Sequence, residues 1–243
     1  MNGLVAYCRP GFENDCAAEL QDKAGRLGIY GYCQTQPLQG YVVYRCQPEE
    51  SEHLGKKLIL KDLIFTRQFF VILAHLNELP TSDRVSAIQV ALIDEDVSEP
   101  FAAIKPAGDI RVEVPDTNAG KELSKFCRKF TVPLRQGLRA IDWLTANESD
   151  RRPTLHAFFV NNQELILGFS YSFNQSPWLM GIPRLRFPSD APSRSTLKLD
   201  EAFQVFIPAE EREQRIQSGM NAVDLGAAPG GWTYQLVRRG MMV

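Results

Sequence analysis

Near its end the chain runs Asn221-Ala-Val-Asp-Leu225, then Gly226-Ala-Ala-Pro-Gly-Gly231, then Trp232–Arg239, and this order constrains the fold more than any other stretch. The first segment reads as a short strand, the glycine cluster as a tight turn, and the third as an amphipathic helix. Gly240 suits the position just past a helix end, and Met241-Met242-Val243 reads as the start of the next strand. Strand, glycine turn and helix in that order form the opening unit of a Rossmann-type domain. Glycines let the backbone approach a ligand closely, and a helix N-terminus offers free N–H groups to a negative moiety. A dinucleotide fingerprint would read G-x-G-x-x-G, whereas the order here is G-A-A-P-G-G. A phosphate loop would close on G-K-[ST], which Gly230-Gly231-Trp232 does not supply. A glycine turn with a purely structural role is the plain alternative.

The rest of the chain divides by pattern. Leu4–Cys8 reads as a strand, Arg9–Phe12 as a turn, and Glu13–Ala24 as a helix with Cys16, Ala17, Leu20 and Ala24 on one face and Gly25 as its stop. Tyr30–Cys33 and Tyr41–Cys46 read as strands, and His53–Leu60 as a short helix. A small α+β module over residues 1–60 is expected. Ile64–Leu76 then reads as containing a strand, Ser82–Asp94 as a helix capped by Ser82 or Asp83, and Asp109–Val114 as a half-buried strand alternating apolar with charged residues. Ser124–Leu144 is a basic helical stretch expected to break or kink at Pro133, and Thr154–Val160 with Glu164–Tyr171 forms a hairpin candidate. This gives a second α+β domain over 61–172. Pro177, Pro183, Pro188 and Pro192 mark 173–193 as an extended, stiff linker, and helical spacing resumes over Ser195–Phe203 within a last unit at 194–243.

Composition narrows the class. An apolar fraction of 44% and a charged fraction of 23% are ordinary for a globular protein. No run approaches the roughly 18 apolar residues of a membrane span, and charges near the N-terminus argue against a signal peptide. The five cysteines include no C-x-x-C, and His53, His75 and His156 stand at no metal-ligand spacing, so free thiols, a reducing cytoplasm and no metal are expected.

The net charge of −2 does not advertise nucleic acid, but local charge does. Between Lys121 and Arg139 stand Lys121, Lys125, Arg128, Lys129, Arg135 and Arg139 against Glu122 alone, with Phe126 and Phe130 interleaved. Arg184–Lys198 carries four basic residues against Asp190. Either run is a candidate phosphate-binding face, and either could equally be a solvated surface.

The motif D-L-G-A-A-P-G-G-W-T resembles the first motif of the FtsJ-like ribose 2′-O-methyltransferases. Upstream, Ser193-Arg-Ser-Thr-Leu-Lys-Leu-Asp-Glu-Ala-Phe203 is similar to the S-R-[SA]-x-x-K-L-x-E segment of the same family, and the two in this order are specific. Three further stretches, CRPGFENDCAAEL, KELSKFCRKFTVPLR and SPWLMGIPRLRFPSDAPSRSTLKL, extend the likeness through essentially the whole chain. They resemble bacterial members that 2′-O-methylate a cytidine of 23S rRNA.

The resemblance implies a ferredoxin-like module, a THUMP RNA-binding domain, and the start of an α/β Rossmann-like methyltransferase domain that uses S-adenosylmethionine. It implies Lys198 as the first catalytic lysine of a Lys-Asp-Lys-Glu set, and Ser195, Asp224, Gly226, Ala228, Pro229, Gly230 and Gly231 as cofactor contacts. The remaining catalytic Asp, Lys and Glu would lie beyond Val243, so residues 1–243 by themselves are expected not to transfer a methyl group. RNA would meet Lys121, Lys125, Arg128, Lys129 and Arg135 of a cytoplasmic monomer. Without the resemblance, Lys198 reads as a solvated charge, Ser195 as a helix cap, Asp224 as a partner for turn amides, and Trp232 as packing. A lone β–α unit leaves apolar faces uncovered, so unusual packing is expected after about residue 219.

Overall fold

The computed structural model describes residues 3–98 and 102–243, which form two compact units, 1–181 and 182–243. Seven strands build the first: β1 Gly3–Tyr7, β2 Tyr32–Gln34, β3 Tyr41–Arg45, β4 Gln68–Leu76, β5 Asp109–Glu113, β6 Thr154–Phe159 and β7 Leu165–Ser170. Its helices are α1 Glu13–Arg26, α2 Pro48–Lys57, α3 Arg84–Ile93, the single turn α4 Glu95–Ser98, and α5 Asn118–Ala140. The second unit holds α6 Ser195–Phe206, α7 Ala209–Arg215 and α8 Gly231–Arg238.

All seven strands join one sheet in the order β2-β3-β1-β4-β7-β6-β5. The first four strands, with α1 and α2, follow the β-α-β-β-α-β plan of a ferredoxin-like module, and every neighbouring pair among them is antiparallel. The boundary expected near residue 60 therefore falls inside that module, because β4 is its fourth strand. β4 is long enough to serve two neighbours: Gln68–Val71 pairs with β1, and Val71–Leu76 pairs with β7. The expected hairpin over 154–171 forms as β6 and β7, and β5 runs parallel to β6 because α5 crosses over between them.

The helical side of the sheet buries Leu4, Ala6, Tyr44, Phe69, Val71, Leu155, Phe159, Leu167 and Phe169 against Leu20, Leu54, Ile88, Leu134 and Leu138. The other side packs on itself. In a flat sheet β1 and β6 would lie about 14 Å apart, three strand spacings. Yet the rings of Tyr7 and Phe158 are 5.0 Å apart, as are those of Tyr41 and Phe158. The sheet is thus strongly curled, and its concave face closes over Val5, Phe70, Ile72 and Ile166.

Two sequence expectations change here. α5 does not break at Pro133 but continues through it from Asn118 to Ala140, with Leu134 and Leu138 both buried. Its apolar stripe on the sheet outweighs the single backbone bond that proline removes. The stretch read as a linker also begins as part of the sheet unit: Asn174, Ser176 and Met180 are buried, and 179–181 is a short 3-10 turn.

Candidate functional site

The glycine loop lies in the second unit. Asn221 makes a single bridge to Met242, and the ladder expected over Asn221–Leu225 does not form. Val223 and Leu225 stand 81% and 90% exposed, in keeping with the unusual packing expected there. Asp224 Oδ2 accepts hydrogen bonds from the Thr233 amide at 2.9 Å and the Thr233 hydroxyl at 2.7 Å, so the carboxylate fastens the loop to the first turn of α8. Gly226 and Gly230 adopt φ of 76° and 93°, a region that L side chains rarely enter. A Cβ on Gly226 would meet nothing within 4 Å, and one on Gly230 only Pro192 Cγ at 3.9 Å, which leaves open space over the loop. Ala228 and Pro229 are exposed beside it.

Gly231 is the opposite case. A Cβ there would come within 2.1 Å of Ser195 Oγ and 2.6 Å of Ser193 Oγ, so the end of the loop is pressed against the start of α6. α8 ends as the sequence suggested. Gly240 takes φ 76° and donates to Val237 O, while the Met241 amide donates to Leu236 O, closing a Schellman motif.

α6 presents Ser195 and Lys198. Ser195 is the first helical residue and Arg194 precedes it as the cap, so Ser195 is not the capping side chain that its residue type suggested. Its hydroxyl instead lies 2.5 Å from that of Ser193. Lys198, one turn into α6, is exposed. Trp232 is 47% exposed at the start of α8. The donor set around the loop is amides, hydroxyls and one carboxylate. Among the described residues no group of three or more His, Cys, Asp or Glu could hold a metal ion, and no helix is long and apolar enough to cross a membrane.

In the first unit, Lys121, Lys125, Arg128 and Lys129 are exposed on α5, whose start is capped by the Thr117 hydroxyl accepting from the Gly120 amide at 3.1 Å. Arg135, expected alongside them, is turned inward: it bonds Asp109 Oδ1 at 2.7 Å and also the Glu148 carboxylate. Phe126 and Phe130 stack on each other at 5.2 Å and meet Phe159 edge-on, so they are core residues. Helical spacing separates them from the lysines, and only their positions in the chain interleave.

A buried polar network went unread in the sequence. Glu113 Oε2 accepts from the Tyr7 hydroxyl at 2.8 Å and lies 3.0 Å from His156 Nδ1, while His156 Nε2 lies 2.8 Å from Ser170 Oγ. Burial opposes the Glu113 charge, but His156, the Met180 amide and Tyr7 hold its carboxyl below the usual range. Burial also pushes the His156 imidazole down, against the pull of Glu113. The one signal was the alternation Asp109, Arg111, Glu113 on a single face of β5, which reads as solvent-facing until its cover is known.

Three family descriptions match the chain: "RlmM ferredoxin-like domain" over residues 1–70, "Ribosomal RNA large subunit methyltransferase M, N-terminal" over 83–171, and "FtsJ-like methyltransferase" over 191–243. Curated relatives match end to end. A protein of Idiomarina loihiensis named ribosomal RNA large subunit methyltransferase M is 56% identical over all of this chain and 64% of its own length. One of the same name from Musicola paradisiaca is 55% identical, also over 100% of this chain and 64% of its own. Among solved structures, TrmN from Thermus thermophilus matches at 16% identity and a TM-score of 0.45, covering 99% of this chain and 62% of that one.

Proposed function

As the chain belongs to the ribosomal RNA large subunit methyltransferase M family, we propose that its protein transfers a methyl group from S-adenosylmethionine to the ribose 2′-hydroxyl of a cytidine in 23S rRNA. The chain spans about 64% of the length of those relatives. The observation that carries this reading is the open loop from Gly226 to Gly230, with its two left-handed glycines, fastened by Asp224 and adjoining the helix that bears Lys198. Such a loop admits the amino-acid end of a nucleoside sulfonium against bare backbone. Asp224, Gly226, Ala228, Pro229, Gly230, Gly231 and Ser195 are its proposed contacts.

S-adenosylmethionine, when bound, supplies a methyl carbon attached to a positively charged sulfur. The residues' task is alignment, since an in-line displacement gains most from holding its partners at the right distance and angle. Lys198 is the proposed group that orients and polarises the hydroxyl oxygen; a protonated ammonium can donate to that oxygen but cannot take its proton. The family resemblance implies a second lysine as the acceptor of that proton. Lys121, Lys125, Arg128 and Lys129 are proposed to meet the phosphates of 23S rRNA in the cytoplasm.

Calorimetry with S-adenosylhomocysteine tests the loop, and nucleoside mass spectrometry of 23S rRNA treated with the intact protein tests the reaction. Appearance of 2′-O-methylcytidine is the expected result. A methyl group on the base would move the reading to a base methyltransferase. RNA binding without methyl transfer would leave an RNA-binding module.

A further inference from the structure

The hydroxyl of Thr196, 0% exposed, donates a 3.0 Å hydrogen bond to the carbonyl of Gly231, the residue that joins the glycine loop to α8. We infer that Thr196 is a positioning residue, which locks the Lys198-bearing first turn of α6 to the cofactor loop. The inference rests on the proposed function of that loop.

Geometry makes the link specific. Two residues along an α-helix amount to about 200° of rotation and about 3 Å of rise, so pinning Thr196 fixes the opposite side of the same turn, where Lys198 stands exposed. Gly231 allows the approach, because any Cβ would fall 2.1 Å from Ser195 Oγ and 3.0 Å from the Thr196 amide nitrogen. One turn further along α6, Asp200 Oδ1 accepts from Arg239 at 2.8 Å, and the Arg239 guanidinium lies 4.9 Å over the Phe203 ring. In sequence between Gly231 and Arg239 stands Gln235, 1% exposed, whose backbone and side-chain oxygens accept from Arg239. Two directional polar bonds, Thr196 to Gly231 and Arg239 to Asp200, therefore link α6 to α8 and its C-terminal cap. Apolar packing tolerates slippage of one helix along another, whereas a buried hydroxyl and an ion pair each specify one register. Moving α6 by a turn would displace Lys198 from the loop and orphan the Thr196 hydroxyl.

The test compares Thr196→Val, which keeps the shape and loses the hydroxyl, with Thr196→Ser, which keeps the hydroxyl. In the intact enzyme Thr196→Val should speed amide exchange over Trp232–Gln235 and weaken S-adenosylhomocysteine by about three- to ten-fold, the range of one ordinary hydrogen bond. It should also lower kcat while leaving the KM for RNA within about two-fold. Thr196→Ser should restore all three. Wild-type affinity and kcat in Thr196→Val, or equal damage in both variants, would overturn the inference. Should Thr196→Val not fold, Asp200→Asn weakens the second anchor without added volume and should give the same fall in kcat over KM; an unchanged kcat there would equally overturn it. If the wild type binds no S-adenosylhomocysteine, the reading of the loop fails and the role of Thr196 with it. Wild-type binding that Thr196→Val leaves intact removes the role of Thr196 alone.

Discussion

The amide of Met180 donates a 2.7 Å hydrogen bond to Oε1 of Glu113, although Met180 itself stands in the left-handed region at φ 58°. A non-glycine residue holds that conformation only where its surroundings dictate it. Here they do. Arg111 donates to the carbonyls of Ser176 and Trp178, Gln68 accepts from the Ser176 amide, and Asn174 bridges Gly55, Leu58 and Leu60. Charged side chains on one face of β5 thus catch the backbone of 174–181 as the chain leaves the sheet unit. Glu113→Gln should loosen this segment first, with faster amide exchange over 176–181 and little change in β1 and β4. Equal loss of protection in segment and sheet would show that they are one cooperative unit.

Stability should fall as the solution is acidified from neutrality. The His156 pKa lies below its ordinary 6.5, so an unfolded chain takes up that proton before the native one does, and stability declines from about pH 6.5 downward. The Glu113 pKa is likewise depressed, so its contribution is present above the ordinary 4.5 and is lost as pH drops through the lower folded value. Tyr7, Arg111 and Asp109 face the same pair, and none reverses the direction. Each group adds a slope of at most about 1.4 kcal/mol per pH unit. Denaturant melts at pH 7.5 and 5.5 should differ in midpoint, and His156→Gln should flatten the upper part of that dependence.

Gly168→Ala should be among the most damaging single substitutions. A Cβ there would sit 2.2 Å from both Phe70 Cδ2 and the Val71 carbonyl oxygen, and the second is backbone that cannot rotate away. A loss of about 3 kcal/mol is expected from overpacking, read as a lowered thermal midpoint. A midpoint within about 1 °C of wild type would mean that β4 and β7 approach less closely than described.

Charge reversal at Arg128 and Lys129 should weaken RNA binding across sequences and make the salt dependence shallower by close to one unit of log–log slope per lost phosphate contact. Arg135→Gln should instead lower stability with little effect on RNA, because its guanidinium is committed to Asp109 and Glu148. Filter binding over a salt series separates the two. Equal effects on RNA from both changes would place the contact elsewhere on the helix.

Lys198→Met should lower methyl transfer by about 10²-fold or more and leave S-adenosylhomocysteine affinity within about two-fold, as expected for a group acting on the hydroxyl and not on the cofactor. Loss of cofactor binding in this variant would make Lys198 part of the loop's support.

Much of the secondary structure is legible because its signals are local. The cap at Asp83, the turn at Arg9–Phe12, the 154–171 hairpin and the glycine that ends α8 each rest on a few adjacent residues. Of the site, the glycine loop and Lys198 are legible as motifs. Thr196 is not, since a threonine two positions before a lysine carries no local mark of the carbonyl it will meet 35 residues later. Helical spacing already sets Phe126 and Phe130 apart from the lysines, whereas a count of charges along the chain does not register it.

By itself, then, the sequence determined most strands and helices of the first unit, the glycine loop with its neighbouring lysine, and the family to which both point, because periodicity, capping and motif are properties of adjacent residues. Tertiary structure alone decided that one curled sheet runs through both N-terminal modules, that Arg111 and Glu113 of β5 bind the backbone of 176–180, and that Arg135 serves the fold. Those outcomes depend on which distant backbone pairs with which strand edge. That choice is set by summed burial and pairing over the whole chain, and no short window of residues contains it.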